Sequence, residues 1–327
     1  MPIFERYRLP EEASQCPSCA SASIVRLHFV PSKRFRPQGR YLTFVTGCRA
    51  CGLVFVDPPR TDAQMAAYYA GDGAWNKREA KPRPEKIRGE ERKMDRDADP
   101  GLMQAAVTQA ERRFGRTAGL RALDFGCGTG RILDALRRLG LETYGIDPAT
   151  DDTLTGHTML REIPATSDFD VVVAKHVLEH LTDPLGVLRR LRGALHPDGV
   201  LALGVPDLGL APLTGKLNYC INDRKHVSAF TRQSLTSLLA LAGLRPLEFF
   251  NSEDRRRLRC IAAVDLDATA GAHPLRDGAR AIRTYRRRVD KEPAWTRFIP
   301  VRTRAAWANP RIKKDADTRA LARAAED

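Results

Sequence analysis

The sequence predicts an α/β protein: a doubly wound, mainly parallel sheet, preceded by a small cysteine-rich head and followed by a basic helical tail. Three observations carry that reading. Apolar strand-like runs alternate with helical periodicity from Leu120 to about Asp265. Two Cys-x-x-Cys pairs lie within the first 60 residues. The formal net charge of +14 is uneven, with 15 Lys/Arg against 7 Asp/Glu in residues 268–327. A chain of 327 residues with 43% hydrophobic content can fill a sizeable core and accommodate appendages. The opening stretch MPIFERYRLPEE is charged throughout, and no apolar run approaches the ~20 residues of a membrane span, so a cytoplasmic protein is expected. A basic excess attracts anions without choosing among them, and a solvated charged surface is its plainest reading.

Four regions follow from these patterns: a head over residues 1–60, a helical linker or lid over 61–118, the α/β domain over 119–265 and the basic tail over 266–327. In the head, SIVRLHFV and YLTFVTGC suit short hairpins. TDAQMAAYYAGD reads as a helix, and NKREAKPRPEKIRGEERKMDRDAD, rich in Pro and mixed charge, as linker or lid. LRALDF is a strand, and GRILDALRRLG puts Ile132, Leu133, Leu136 and Leu139 on one helical face. ETYGID and FDVVVA are further strands. DPLGVLRRLRGALHPDG carries Leu185, Leu188, Leu191 and Leu195 at helical spacing before a Pro-Asp-Gly turn. VLALGVPD is a strand and TRQSLTSLLALAG a helix, with Thr231 as N-cap and Gly243 as stop. RPLEFF and RCIAAVDL close the domain as a hairpin pair, and the tail reads as basic helices interrupted by Pro.

The stretch LDFGCGTGR places glycine at 126, 128 and 130 directly after a strand and before a helix. Glycine admits close backbone approach, and the helix N-terminus offers free N–H groups to an anionic group. A dinucleotide fingerprint would need glycine at position 131, which is Arg131, and no Gly-Lys-Ser/Thr follows for a phosphate loop. Asp124 beside the loop would repel a pyrophosphate but suits a ligand bearing ammonium and sulfonium charge. Asp147, 21 residues after Gly126 at the end of the next strand, is placed to accept two ribose hydroxyls. On these residues, the chain resembles the class I S-adenosylmethionine-dependent methyltransferases over roughly residues 119–265. The resemblance implies a Rossmann-like methyltransferase sheet and a cofactor site drawn from Asp124, Phe125, Gly126, Gly128, Gly130, Asp147 and Lys175. A structural glycine turn and an NAD site are the alternatives. Between Asp147 and Phe169 the sequence departs from the family pattern: the usual helix is truncated, and Met159 stands where the family has an acid that reads adenine.

Cys16-x-x-Cys19 and Cys48-x-x-Cys51, 28 residues apart, give two thiolate pairs suited to tetrahedral Zn²⁺. A redox pair or inert cysteines are the other readings, and the odd total of 7 cysteines argues against a disulfide framework. The head, with its run CGLVFVDPPRTDAQMAAYYAGD, resembles the zinc-binding segment preceding the methyltransferase domain in many bacterial enzymes acting on sugars, glycans or secondary metabolites. The resemblance implies a structural or substrate-positioning zinc ribbon.

KHVLEH follows the FDVVVA strand and puts Lys175, His176, Glu179 and His180 at the mouth of the site; His226 in DRKHVSAFT is expected to return to the same face. The string superficially matches an inverted zinc-protease motif, a reading that its place in a βαβ frame disfavours. It also resembles the E-x-x-E-H string of quinone-biosynthesis O-methyltransferases and small-RNA 3′-end methyltransferases. That likeness implies a second divalent cation at His176, Glu179, His180 and His226, with His replacing the first Glu and softening the site. A histidine general base and a purely structural role stand beside it. The expected activity is methyl transfer from S-adenosylmethionine to a hydroxyl, less readily a carbon, of a small polar metabolite such as a sugar or nucleotide-linked sugar, the substrate being anionic or sugar-containing. An RNA methyltransferase using ribbon and tail to bind nucleic acid is one rival. A non-catalytic binding module is the other.

Overall fold

The apolar runs at the centre of the α/β region become strands buried on two faces, and the layers around them follow from that. The structure is a computed structural model, and it describes residues 7–8, 15–32, 40–58, 61, 63, 65, 99–148, 154–166, 168–209, 220–221, 226–252, 257–266 and 278–291. The expected helix over 61–72, the charged stretch 76–98 and the tail beyond 291 lie outside the described residues, apart from positions 61, 63 and 65.

The head contributes β1 (Tyr7–Arg8), β2 (Ile24–Ser32), β3 (Arg40–Cys48) and β4 (Val54–Asp57). β2 and β3 pair antiparallel as the two β-like runs predict, β3 pairs onward to β4, and β1 lies parallel to the start of β3. After it come α1 (Pro100–Phe114), β5 (Arg121–Phe125), α2 (Arg131–Arg138), β6 (Glu142–Ile146), β7 (Thr158–Met159), β8 (Phe169–Lys175), α3 (Pro184–Ala194) and β9 (Leu195–Pro206). The chain continues through β10 (Ser228–Ala229), α4 (Arg232–Leu241), β11 (Leu244–Asn251), β12 (Arg257–Val264) and α5 (Gly278–Lys291).

Seven strands form the main sheet in the order β11-β12-β9-β8-β5-β6-β7. β7, β6, β5, β8 and β9 are mutually parallel, and β12 and β11 add an antiparallel hairpin at the far edge. Strand alternation sorts the core into two layers. Ala122, Val171, Val173, Val200 and Ala202 face one way, onto Leu102, Met103, Ala106 and Val107 of α1 and Ile132 and Leu136 of α2. Leu123, Val172, Ala174, Leu201 and Leu203 face the other way, onto Leu185, Leu188 and Leu191 of α3 and Leu235, Leu238 and Leu239 of α4. Each fully buried Leu is worth about 1.5–3 kcal/mol, so both faces are strongly specified.

Local signals explain the element ends. Thr231 and Ser234 form a reciprocal capping box at the start of α4, and Gly243 past its end has φ +73. Pro197, Asp198 and Gly199, expected as a turn before a strand, instead lie within β9 as an irregularity: β8 pairs with β9 at Phe169↔Leu195 and next at Val171↔Val200. Three extra residues are accommodated by bulging rather than by ending the strand.

Residues 100–114, inside the stretch read from sequence as linker or lid, form a packed 15-residue helix. Asp99, with φ +51, caps it by accepting the Leu102 N–H, and Arg259 of β12 reaches the same carboxylate with Nε at 3.2 Å. Between Asp147 and Phe169 no helix is present among the described residues, and the third parallel strand is reduced to β7. The head is joined to the rest by backbone hydrogen bonds, because β4 pairs antiparallel with β10. α5 lies against it as well: a Cβ on Gly278 would collide with the Arg49 carbonyl oxygen.

Candidate active site

Strand order reverses at β5, which has β6 on one side and β8 on the other, and the crevice beyond the carboxyl ends of these strands is the switch-point position for a ligand. Asp124 sits there, near the end of β5, 1% exposed. Both of its carboxylate oxygens are buried without a hydrogen-bond partner among the described residues. Burial pushes its carboxyl up to about 7; Lys175 at the end of β8 draws it down, and Asp147 adds to the rise. A buried acid left unsatisfied in this way is matched to a cationic or hydrogen-bond-donating group.

The loop after Asp124 turns on Gly126, Gly128 and Gly130, all with positive φ. It is pinned by Gly126 N–H to Ile146 O at 2.7 Å and by Gly128 N–H to Asp147 Oδ2 at 2.9 Å. Gly130, at φ +78, caps α2 without a side-chain hydrogen bond. Phe125 is half-buried against the core at the strand end. Met159 belongs to β7, where its sulfur comes within 3.0 Å of a Cβ placed on Gly145.

Residues 176–180 meet this loop directly. A Cβ on Gly126 would stand 2.5 Å from Val177 Cγ2, so only glycine passes beneath Val177. His176, at φ +56, begins the turn, with its N–H donating to Gly204 O at 2.7 Å. Its Nδ1 lies 2.8 Å from Glu179 Oε1. Glu179 is 0% exposed, with Oε2 unpartnered among the described residues. Burial raises its pKa, but the His176 hydrogen bond and the charges of His176, His180 and His226 outweigh that and hold the carboxyl at about 2. His226 comes in from the segment before β10 and stands edge-on to His180, with ring centroids 4.7 Å apart. One ligand atom from each of Glu179, His180 and His226 fits within 4.8 Å, a spacing that can hold a divalent ion. His176 is tied to Glu179 rather than included in that trio.

In the head, Cys16 Sγ lies 3.7 Å from Cys51 Sγ, and Cys19 Sγ 3.5 Å from Cys48 Sγ. A disulfide needs about 2.05 Å; a tetrahedron of ~2.3 Å metal–sulfur bonds has edges of about 3.8 Å. The four thiols therefore fit a tetrahedral metal.

Residues 91–248 match a family model described as a methyltransferase domain. They carry a methyltransferase domain. The ubiquinone biosynthesis O-methyltransferase of Rhodopseudomonas palustris (strain TIE-1) is 32% identical over 113 residues, 28% of this chain and 45% of the relative. The protein of the same description from Bradyrhizobium sp. (strain ORS 278) is 33% identical over 113 residues, with the same two shares. The chain thus spans less than half the length of these curated relatives. Among solved structures, the 1,6-didemethyltoxoflavin-N1-methyltransferase of Burkholderia thailandensis, with bound S-adenosylhomocysteine, matches at TM-score 0.44 and 15% identity over 71% of this chain and 97% of its own.

Three residues in this methyltransferase domain escaped the sequence reading. Val177 lids Gly126, and nothing in a valine within a motif signals that. Asp207, just past β9, is buried and accepts Gly209 N–H at 2.6 Å and Asn251 Nδ2 at 2.8 Å. An acid at a strand end is the signal that singled out Asp124 and Asp147, and it was available in VLALGVPD. His157 is gripped by Thr143 Oγ1 at 2.7 Å and Asp134 Oδ1 at 3.1 Å, which fixes the approach to β7.

Proposed function

We propose that the chain transfers a methyl group from S-adenosylmethionine to an oxygen of a small-molecule acceptor. The observation carrying this is the contact of Val177 with Gly126, which brings an unsatisfied buried carboxylate and glycine loop against the Glu179–His180–His226 cluster. The O-methyltransferase relatives support oxygen as the acceptor atom, whereas no comparison favours a sugar.

The residues fit the cofactor. Asp124 is a buried acid without a hydrogen-bond partner among the described residues, suited to an ammonium group; Asp147 stands at the end of β6 for ribose hydroxyls; and the start of α2, which Gly130 caps without a side chain, suits a carboxylate. When bound, the cofactor supplies an electrophilic methyl on a sulfonium, so the protein must align the acceptor and take its proton. His180 or His226 would accept the hydroxyl proton as the O–CH₃ bond forms and the S–CH₃ bond breaks. Glu179 stabilises the imidazolium that results, in the way a buried carboxylate supports a histidine base. The same three side chains also fit a divalent cation that would lower the acceptor's pKa.

The cysteine quartet holds a structural zinc in this reading, because all four tetrahedral positions are thiols and no ligand position is open for chemistry. Incorporation of labelled methyl from S-adenosylmethionine into phenolic, sugar and RNA acceptor pools tests the activity, and catalytic failure on all three with intact S-adenosylhomocysteine binding would refute it. Chelation separates the two mechanisms: activity lost and restored by a divalent ion supports metal assistance, and indifference supports the histidine base.

A further inference from the structure

The cysteine quartet belongs to the head sheet and Glu179 and His180 follow a strand of the main sheet, yet His226 leads into β10, which belongs to the head sheet. Cys51 is three residues ahead of β4, and Cys48 N–H closes the second knuckle by donating to Leu53 O at 2.9 Å. β4 then pairs with β10 through Val54↔Ala229 and Phe55↔Ser228. Val56 N–H donates to Val227 O at 2.9 Å, on the residue directly after His226. The interior is continuous as well: Cys16, Cys48, Cys51, Leu53 and Phe55 belong to the same buried cluster as Leu178 and Phe230.

His226 therefore differs from its two neighbours. Glu179 and His180 are carried by the turn that directly follows β8 of the main sheet. His226 leads into β10, a two-residue strand paired antiparallel with the strand leaving the second cysteine knuckle on the His226 side, and tied beyond it at Phe230, whose carbonyl accepts the Leu208 N–H at 2.9 Å. A strand of that length has little stability of its own. A small segment built on four cysteine ligands in turn owes its order to the metal.

We infer that the cysteine quartet is the positioning element for His226: metal held by Cys16, Cys19, Cys48 and Cys51 fixes β4, and β4 sets His226 against His180 and Glu179. This rests on the metal reading of the quartet. It makes head occupancy a requirement for assembling the histidine cluster, whereas the backbone of Asp124, the glycine loop and Asp147 is held by the β5–β6 pairing of the main sheet, outside the β4–β10 contact. A zinc-depleted chain should bind cofactor while lacking a properly placed His226.

The test uses the full ¹⁵N-labelled chain and imidazole ¹H–¹⁵N correlation spectra, with His226, His180 and His157 assigned by single His→Gln variants. His157 reports on the main sheet because Thr143 and Asp134 hold it. Cys16→Ser/Cys19→Ser removes two thiols from the knuckle that does not lead into β4, leaves the β2–β3 pairing and the Arg49 N–H to Ser23 O bond in place, and does not touch any ion at the histidine cluster. Its zinc content should fall from about one per chain to near zero. The His226 and His180 signals should shift or broaden, with His157 unmoved and S-adenosylhomocysteine affinity within about twofold. A companion variant, Val56→Pro, removes the N–H that holds Val227 and should move His226 with zinc retained. Zinc lost from the double variant with His226 and His180 unmoved would overturn the inference alone, as would joint loss of the His157 signal and cofactor binding. Wild-type protein without zinc, whose His226 signal ignores added zinc, would overturn the metal reading with it.

Discussion

Cofactor affinity should rise with pH through neutrality, because burial brings the ionisation of Asp124 in the free protein into that range. Its carboxyl is pushed up to about 7 by burial, offset in part by Lys175 and reinforced by Asp147. A ligand ammonium beside it would stabilise the ionised form, so binding below pH 7 must release a proton. With a free-state pKa of about 7, roughly one-eleventh of the chains are ionised at pH 6 and ten-elevenths at pH 8. Affinity for S-adenosylhomocysteine should then be about tenfold weaker at pH 6, or ~1.4 kcal/mol. Calorimetry in two buffers of different ionisation enthalpy reads the proton release directly, and Asp124→Asn should abolish both the release and the pH slope. A pH-independent affinity between 6 and 8, or release that persists in Asp124→Asn, would refute the reasoning.

The stability of the cofactor-free chain must move in the opposite direction. A carboxyl whose folded pKa is raised binds more protons folded than unfolded, so stability falls as pH rises from the ordinary Asp value toward about 7. The span between those values bounds the cost at roughly 4 kcal/mol. Asp124→Asn should therefore raise the melting temperature at pH 8 and leave it nearly unchanged near pH 4. Improved stability at the expense of binding is the expected sign for a functional buried acid.

Gly126→Ala should eliminate cofactor binding measurable by calorimetry, because a methyl group there meets Val177 at 2.5 Å on a backbone of φ +83; retained affinity would show the loop to be adaptable. His180→Ala should lower turnover by ~10²-fold or more with S-adenosylhomocysteine affinity nearly unchanged, as expected for a group acting in the transition state; equal turnover in both His180→Ala and His226→Ala would make the pair structural. Gly278→Ala forces a Cβ onto the Arg49 carbonyl, beside Cys48, and should speed zinc loss to a chromogenic chelator severalfold. Arg259→Ala strands the buried Asp99 carboxylate and should cost about 3–5 kcal/mol in urea unfolding.

What could be read from the sequence is what short range encodes. FDVVVA and VLALGV are legible because a parallel strand covered on both faces reads as a near-continuous apolar run, interrupted in FDVVVA by Asp170, which accepts the Arg121 N–H, and the layers built on Val171, Val172, Val173 and Ala174 show both faces in use. The Thr231 cap and the glycine loop are legible for the same reason: their hydrogen bonds close within a few residues or on the adjacent strand. α1 was obscured by its surroundings, since a highly charged, Pro-containing stretch precedes it and its anchoring partner, Arg259, lies 160 residues away. The pairing of β4 with β10 joins residues about 170 positions apart through backbone groups, which no side-chain pattern reports. The histidine cluster combines both cases. Glu179 and His180 stand in one local string that spacing alone can flag, whereas the nearness of His226 depends on a strand pair specified by the cysteine-rich head. Substitutions in that head are therefore expected to act on the chemistry at a distance, through the backbone of Val227 rather than through any side chain of the α/β domain.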